Sequence, residues 1–407
     1  MLIQKKQSFS YCICALYLAL APISWFPGVP VGFIKRTLLL LLIICNYRYF
    51  KILNAKGIIV FVFAMLSLTF SMLCHNDKIF SDYDSYIGLY LGLIENFIMF
   101  VVGYNFIKNG IINNKFFKYI VVFLGVISSI TIFNYYFHVP QWYAPSQFET
   151  ETKILALGHI YEKRALFETG FSWSRAGWGN SLALYIPLCF IVIMKHRNRK
   201  HLILLALFFS IYFSGTRNGV LASIMSILLY LYLRKWGTKE KVSLIFFIAI
   251  IFIVLQSYTD NIMMAMRLEG DNITSGRYDQ FLLIPELIGS MNFWGIGVNG
   301  TAKYVLDKVG EEHQIHNTFF NTLIEVGWLL GGIVLFISVH VVKICVHIFR
   351  KQNEAQICYA LILLSGLFAS LFEPRMVFGS LGGQSLWWFV FGILTYYCED
   401  NIKSEKL

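Results

Sequence analysis

A histidine and an asparagine, His316 and Asn317, close the polar run "GEEHQIHNT" and open the apolar stretch that follows it. An imidazole titrates near neutral pH, so it can take or give a proton there. At a loop–helix junction, with Asn317 capping the helix, its direction would be fixed. A group so placed can remove the proton from a sugar hydroxyl as that hydroxyl attacks. A lone histidine is also a common structural residue. His313, three residues earlier, would share a face with His316 in a helical turn and competes for the role. The two make no metal site, because no third ligand follows at a recognisable spacing.

Three arginines offer complementary chemistry. Arg217 lies in "FSGTRNGV" between Gly215 and Gly219, Arg277 follows Gly276 in "TSGRYDQ", and Arg175 lies in "SWSRAGWGNSLA". A guanidinium stays charged and forks around phosphate oxygens. Glycines beside it let backbone amides approach the same oxygens. The set suits a lipid-linked diphosphate. The plainer reading is that a cation at a helix end reaches for lipid headgroups. That reading is preferred for Lys35 and Arg36 in "GFIKRTLLLL". Arg175 fits both readings equally, and Arg217 and Arg277 favour the ligand.

Composition names the elements that must hold these residues. The chain has 407 residues, 57% hydrophobic and only 14% charged. Soluble domains carry about a quarter charged residues. Several apolar runs reach the roughly 18 residues needed to cross a bilayer. They do not alternate, which excludes an outer-membrane barrel. The expected fold is therefore all-α: a polytopic integral membrane protein of about 12 transmembrane helices, forming one membrane domain over 1–407. The net charge of +11 sits in short basic clusters between apolar runs. That pattern carries topology rather than nucleic-acid binding. The eight cysteines fall in or beside apolar segments, so neither a disulfide framework nor a zinc site is expected.

The candidate spans lie near 8–26, 31–47, 57–74, 85–106, 116–137, 179–194, 202–214, 219–233, 242–258, 319–345, 356–372 and 386–398. The first reads as a retained helix rather than a cleaved signal, since no small-residue cleavage site precedes Pro27. With both termini cytoplasmic, every short basic cluster falls inside, as in "KHRNRKH" and "RKWGTKEK". Two long loops then fall outside, 138–178 and 259–318, and the candidate chemistry lies on that face. Long ordered loops are usually functional. Within the second, "GRYDQFLLIPELIGS" and "TAKYVLDKV" are expected as short surface helices. No internal repeat and no inverted pair of broken helices is visible.

Other polar residues need a place. Glu95 lies mid-span, where an acid is expensive; it is either functional or hydrogen-bonded inside the bundle. Glu325, nine residues after His316, reads as a helix-packing or orienting group. Glu373 and Arg375 in "FEPRMVFG" would pair with each other. Trp142, Tyr143, Trp173, Trp178, Trp294 and Trp328 read mostly as an interfacial belt.

The order "SGTRNG", then "SGRYDQ…MNFWGIGVNG", then "HNTFFNTLIEVGWLLGG" resembles the O-antigen ligase and O-antigen polymerase superfamily. "GFSWSRAGWGNSLALYIPL" also looks like that family's segment before the sixth span. The likeness is specific over residues 170–335. It implies an inverting glycosyltransferase of the bacterial inner membrane with a periplasmic site and no metal or other cofactor. By motif, Arg217 and Arg277 would hold the diphosphate and His316 would act on the acceptor hydroxyl. Arg175 joins the diphosphate set, and Asn317, Gly276 and Gly215 support it. The implied partners are an undecaprenyl-diphosphate-linked oligosaccharide, membrane lipids and a chain-length regulator, with no nucleic acid. Polymerase and ligase share these motifs. Polymerase is the expectation taken, with ligase as the alternative and a glycan-lipid flippase as the rival from another class.

Overall fold

A computed structural model describes residues 2–47, 55–75, 79–112, 114–137, 171–172, 175–193, 201–214, 216–233, 277–309, 314–351, 353–374, 376–378 and 384–404. Among them the chain is helical, with two isolated β-bridges and no strand. The helices are α1 (Leu2–Leu20), α2 (Val31–Asn46), α3 (Ala55–Cys74), α4 (Ile79–Lys108), α5 (Asn114–Phe137), α6 (Arg175–Ala183), α7 (Ile186–Ile193) and α8 (His201–Phe213). They continue with α9 (Arg217–Leu233), α10 (Arg277–Ser290), α11 (Gly300–Val309), α12 (Thr318–Val326), α13 (Trp328–Lys351), α14 (Glu354–Ser370) and α15 (Gln384–Ser404). Thirteen of them overlap the apolar runs read from the sequence, and α10 and α11 are the two short helices expected within 259–318; the ninth run, 242–258, lies outside the described residues. So do most of the 138–178 loop, residues 259–276, Gly215, Gly276, His313, Arg375, Trp142, Tyr143 and Trp173.

Four stretches are long and apolar enough to cross a membrane: Gly57–Cys74, Ser85–Lys108, Lys115–Phe133 and Trp328–Lys351. The outward face of α3 is built of Ile58, Ile59, Val62, Phe63, Leu66, Phe70 and Leu73, all exposed. Water would not tolerate so continuous an apolar surface; hydrocarbon does.

One large core runs through most of the bundle, with Trp178, Trp387, Tyr185, Phe106, Phe116, Phe117 and Phe389 fully buried. The tightest helix pair in it is α4 with α15. A Cβ added at Gly103 would overlap the Phe389 carbonyl, and one at Gly392 would overlap the Phe100 carbonyl. Two reciprocal glycines thus let the backbones touch, which is how helices gain dispersion energy where lipid removes the hydrophobic drive. Gly103→Leu should push α15 away and cost about 1–3 kcal/mol. A detergent melting curve unchanged by that substitution would contradict this packing.

Two predicted spans are each two helices. The sixth breaks at Leu184–Tyr185, between α6 and α7. Pro187 has no N–H to offer the Ala183 carbonyl. The chain bridges the gap with short bonds, Tyr185 N–H to Leu182 O at 2.8 Å and Leu188 N–H to Tyr185 O at 3.1 Å. The tenth breaks at Gly327, whose φ of 94° and ψ of −178° no L side chain favours. The stretch 293–297 lies across that break. Ile296 N–H donates to Ile324 O at 2.8 Å, Gly297 N–H to Glu325 O at 3.0 Å, and Trp328 N–H to Phe293 O at 3.0 Å. The loop thereby satisfies the backbone groups that the break leaves open, as an apolar setting demands.

Two further expectations are corrected. Lys35 does not reach for headgroups: it is buried, and its Nζ donates to Ala21 O at 3.1 Å and Ile23 O at 3.3 Å. The cause is the end of α1 at Leu20, which leaves carbonyls with no helical partner. Arg36, beside it, is exposed as expected. Trp178 is no belt residue; it is fully buried, with Nε1 donating to Ser210 Oγ at 2.9 Å. Trp328 is half-exposed, and Trp294 stacks on Phe70 with centroids 4.8 Å apart.

Candidate functional site

The site is best built from a turn that follows α14. Its residues Leu371, Phe372, Glu373 and Met376 bind the first turns of two distant helices. From α9, Asn218 Nδ2 donates to Phe372 O at 3.2 Å and to Glu373 Oε1. From the start of α12, Asn317 Nδ2 donates to Leu371 O at 3.2 Å. Thr318 Oγ1 donates to Glu373 O at 2.6 Å and accepts from Met376 N–H at 3.1 Å. Glu373 therefore bonds across the bundle to Asn218; Arg375, the pairing expected for it, lies outside the described residues.

Asn317 caps α12 as its type predicts. Its backbone is extended, and its Oδ1 accepts from Phe319 N–H at 3.0 Å and Phe320 N–H at 3.1 Å. Oxygen and nitrogen of one amide thus serve two tasks, cap and cross-bundle tie. A third helix joins at the neighbouring residue: His316 N–H donates to Gln280 Oε1 at 3.4 Å, and Gln280 is buried in the first turn of α10. The imidazole of His316 is half-buried, with Nδ1 inside the fold. The cap and the Gln280 bond hold its backbone from both sides.

Arg217 is the first residue of α9, next to Asn218, and Arg277 is the first residue of α10, three before Gln280. Arg175 begins α6 one turn before Gly179. A Cβ at Gly179 would stand 2.6 Å from Ser214 Oγ and from Thr216, so α6 presses against the chain entering α9. The structure thus brings the segments of Arg217, Arg277 and His316 to one place, with the Arg175 helix beside it. The N-termini of α9, α10 and α12 are tied together there, each with partial positive charge; on α12 the Phe319 and Phe320 N–H groups are already taken by Asn317. Add the arginines and the place favours an anion, with an imidazole at its side.

Glu325 supports this from below. It is buried, and Thr301 Oγ1 lies 2.7 Å from its Oε1 and 2.8 Å from Asn321 Oδ1. That fixes α11 to the buried face of α12, in keeping with an orienting group. Lys308 Nζ, 3.0 Å from Glu286 Oε1, ties α11 to α10. Hydrogen bonds from Tyr304 and then Lys308 hold the Glu286 carboxyl below its usual range. Glu95 lies apart from this site: it is buried and accepts a hydrogen bond from Ser385 Oγ of α15.

Sequence reasoning missed Asn218, Gln280 and Thr318, and it missed the 371–376 turn as an organiser. The available signal was polarity at a helix start: each of the three is a hydrogen-bonding side chain in the first turn after a motif residue. Compared with known protein families and with curated proteins, the chain matches none.

Proposed function

We propose that this chain is an inverting membrane glycosyltransferase that uses an undecaprenyl-diphosphate-linked glycan, and that it polymerises repeat units of a surface polysaccharide. In this reading the chain has about twelve spans in the bacterial inner membrane, with both termini cytoplasmic and the site facing the periplasm. One observation carries it: the first turns of α9, α10 and α12, which hold Arg217, Arg277 and the residues after His316, are bonded together through Gln280 and the 371–376 turn.

The chemistry follows from charge and geometry. His316 takes the proton from the acceptor hydroxyl, whose oxygen attacks C1 of the donor sugar. The C1–O bond breaks, and undecaprenyl diphosphate leaves with the bonding electrons. Negative charge grows on the departing diphosphate. Arg217 and Arg277, at the starts of α9 and α10, would stabilise it together with the positive ends of those helices. Attack from the far side of C1 inverts that centre. A diphosphate is already a good leaving group, so no strong acid is required.

The test is surface polysaccharide on a gel from a deletion strain, with and without complementation by Arg277→Ala. Polymerase action predicts that deletion reduces the ladder to a single core-plus-one-repeat band. Arg277→Ala should fail to restore it, with activity down about 100-fold or more. Loss of all attached glycan with long lipid-linked chains accumulating would replace polymerase by ligase. A normal ladder from Arg277→Ala at wild-type protein level would remove the diphosphate role given to that residue.

A further inference from the structure

A cavity is connected to this site through Gln314. It has a volume of about 230 Å³ and is walled by His75 at the end of α3, Tyr86 of α4, Ile296, Gly297, Val298 and Gly300, and Lys303, Tyr304 and Asp307 of α11. That is below the roughly 300–1,000 Å³ of pockets that take drug-sized ligands, so its occupant is about one ring in size.

The cavity is built rather than incidental. Between Val298 and Gly300 of its lining stands Asn299, whose φ of 63° makes it the left-handed non-glycine residue of the described chain. Such a conformation persists only where the surroundings hold it, and outliers of this kind cluster at ligand sites. Here Asn299 Nδ2 donates to Ser85 Oγ at 2.6 Å, and Gln314 Nε2 donates to Asn299 Oδ1 at 2.7 Å. The neighbours Val298 and Gly300 both face the cavity, and Val298 N–H donates to the Tyr86 hydroxyl at 3.3 Å. Gln314 stands two residues before His316. Through Asn299 the lining is thus tied to the stretch of chain that carries the candidate base.

The walls state what would fit. His75 Nδ1 lies 2.7 Å from Ser71 O, and since a carbonyl can only accept, Nδ1 donates there. Lys303 and Asp307 sit one helical turn apart on α11, and both are exposed. A phosphate would meet Asp307 and an amine would meet Lys303. A polyhydroxylated ring satisfies both, because each hydroxyl donates and accepts. Tyr304 adds an aromatic wall, and His75 and Ile296 close in on Gly297 and Gly300, where a Cβ would stand 3.2 Å and 2.8 Å from them.

We infer that this cavity binds a single sugar residue of the acceptor glycan and so delivers the next hydroxyl to His316. The inference rests on the glycan-transfer reading of the neighbouring site. Its test is saturation-transfer difference NMR on the full chain in nanodiscs. The probes are glucose, galactose, mannose, rhamnose, N-acetylglucosamine, N-acetylgalactosamine and glucuronic acid, each at millimolar concentration. At least one should give a signal that falls about tenfold in the Lys303→Ala/Asp307→Ala double variant. Both side chains are exposed, and a melting curve checks that the fold survives. No sugar signal on the wild type, or a signal the double variant keeps, overturns the inference. Binding needs no turnover, so the two readings fail separately. Sugar binding in a strain whose ladder ignores deletion of the gene would sink the transferase and spare the cavity. A ladder that depends on the gene, with no sugar bound here, would do the reverse.

Discussion

His316→Ala should abolish the glycan ladder while the protein accumulates normally. Removing a positioned base costs typically 10²–10⁴ in rate, about 3–5 kcal/mol of barrier. The structure separates this loss from misfolding. What ties residue 316 to α10 is its backbone N–H, which donates to Gln280, and the next residue carries the cap. Alanine keeps the first and leaves the second untouched. The variant should therefore melt close to wild type and purify with the same profile. A full ladder from His316→Ala at equal protein level would end the base assignment. A variant that melts far below wild type would show the imidazole to be structural instead.

Gly327→Ala should prevent folding. Its backbone sits in a region open only to glycine, which costs another residue about 1–3 kcal/mol. Space is a second obstacle. A Cβ there would overlap the Phe293 carbonyl and stand 2.6 Å from the Trp294 backbone, neither of which is a flexible end. Overpacking of this kind adds about 1–3 kcal/mol more. The carbonyl in the way is the acceptor for Trp328 N–H, so relief by moving it breaks the tie across the helix break. Stability totals only about 5–15 kcal/mol in ordinary domains. The expected result is loss of the monodisperse peak in detergent size-exclusion chromatography. A sharp peak at wild-type height would mean that the break is not as drawn.

The contrast between these two positions shows what a sequence can carry. His316 and Asn317 were legible because their types announce a titrating ring and a cap, and Asn317 caps α12 as expected. The helices were legible because long apolar runs have few alternatives. The break at Gly327 was not. It sits in "EVGWLLGG", an unbroken apolar stretch, and a lone glycine there reads as tolerated. Its cause lies some thirty residues upstream, in the backbone of 293–297, and backbone contacts leave no mark on side-chain type. Lys35 misled for the same reason, since its partners are the carbonyls of Ala21 and Ile23. Trp178 misled because an indole near a span end suits an interface, and only its bond to Ser210 reveals a buried neighbour. The sequence alone left Arg217, Arg277 and His316 merely expected on one face of the membrane, not brought to one place. Their closure depends on Asn218, Gln280 and Thr318, whose partners are distant in sequence.

The turn at 371–376 also sets an order of events. Synthesis runs from the N-terminus, so α9, α10 and α12 all exist before Leu371 emerges. The break at Gly327 can close early, because 293–297 and 324–328 are near neighbours along the chain. The ties to Asn218, Asn317 and Thr318 cannot. A nascent chain therefore carries every candidate catalytic residue for a time without a place that holds them together. The site would be assembled at one late moment, after α14 has formed.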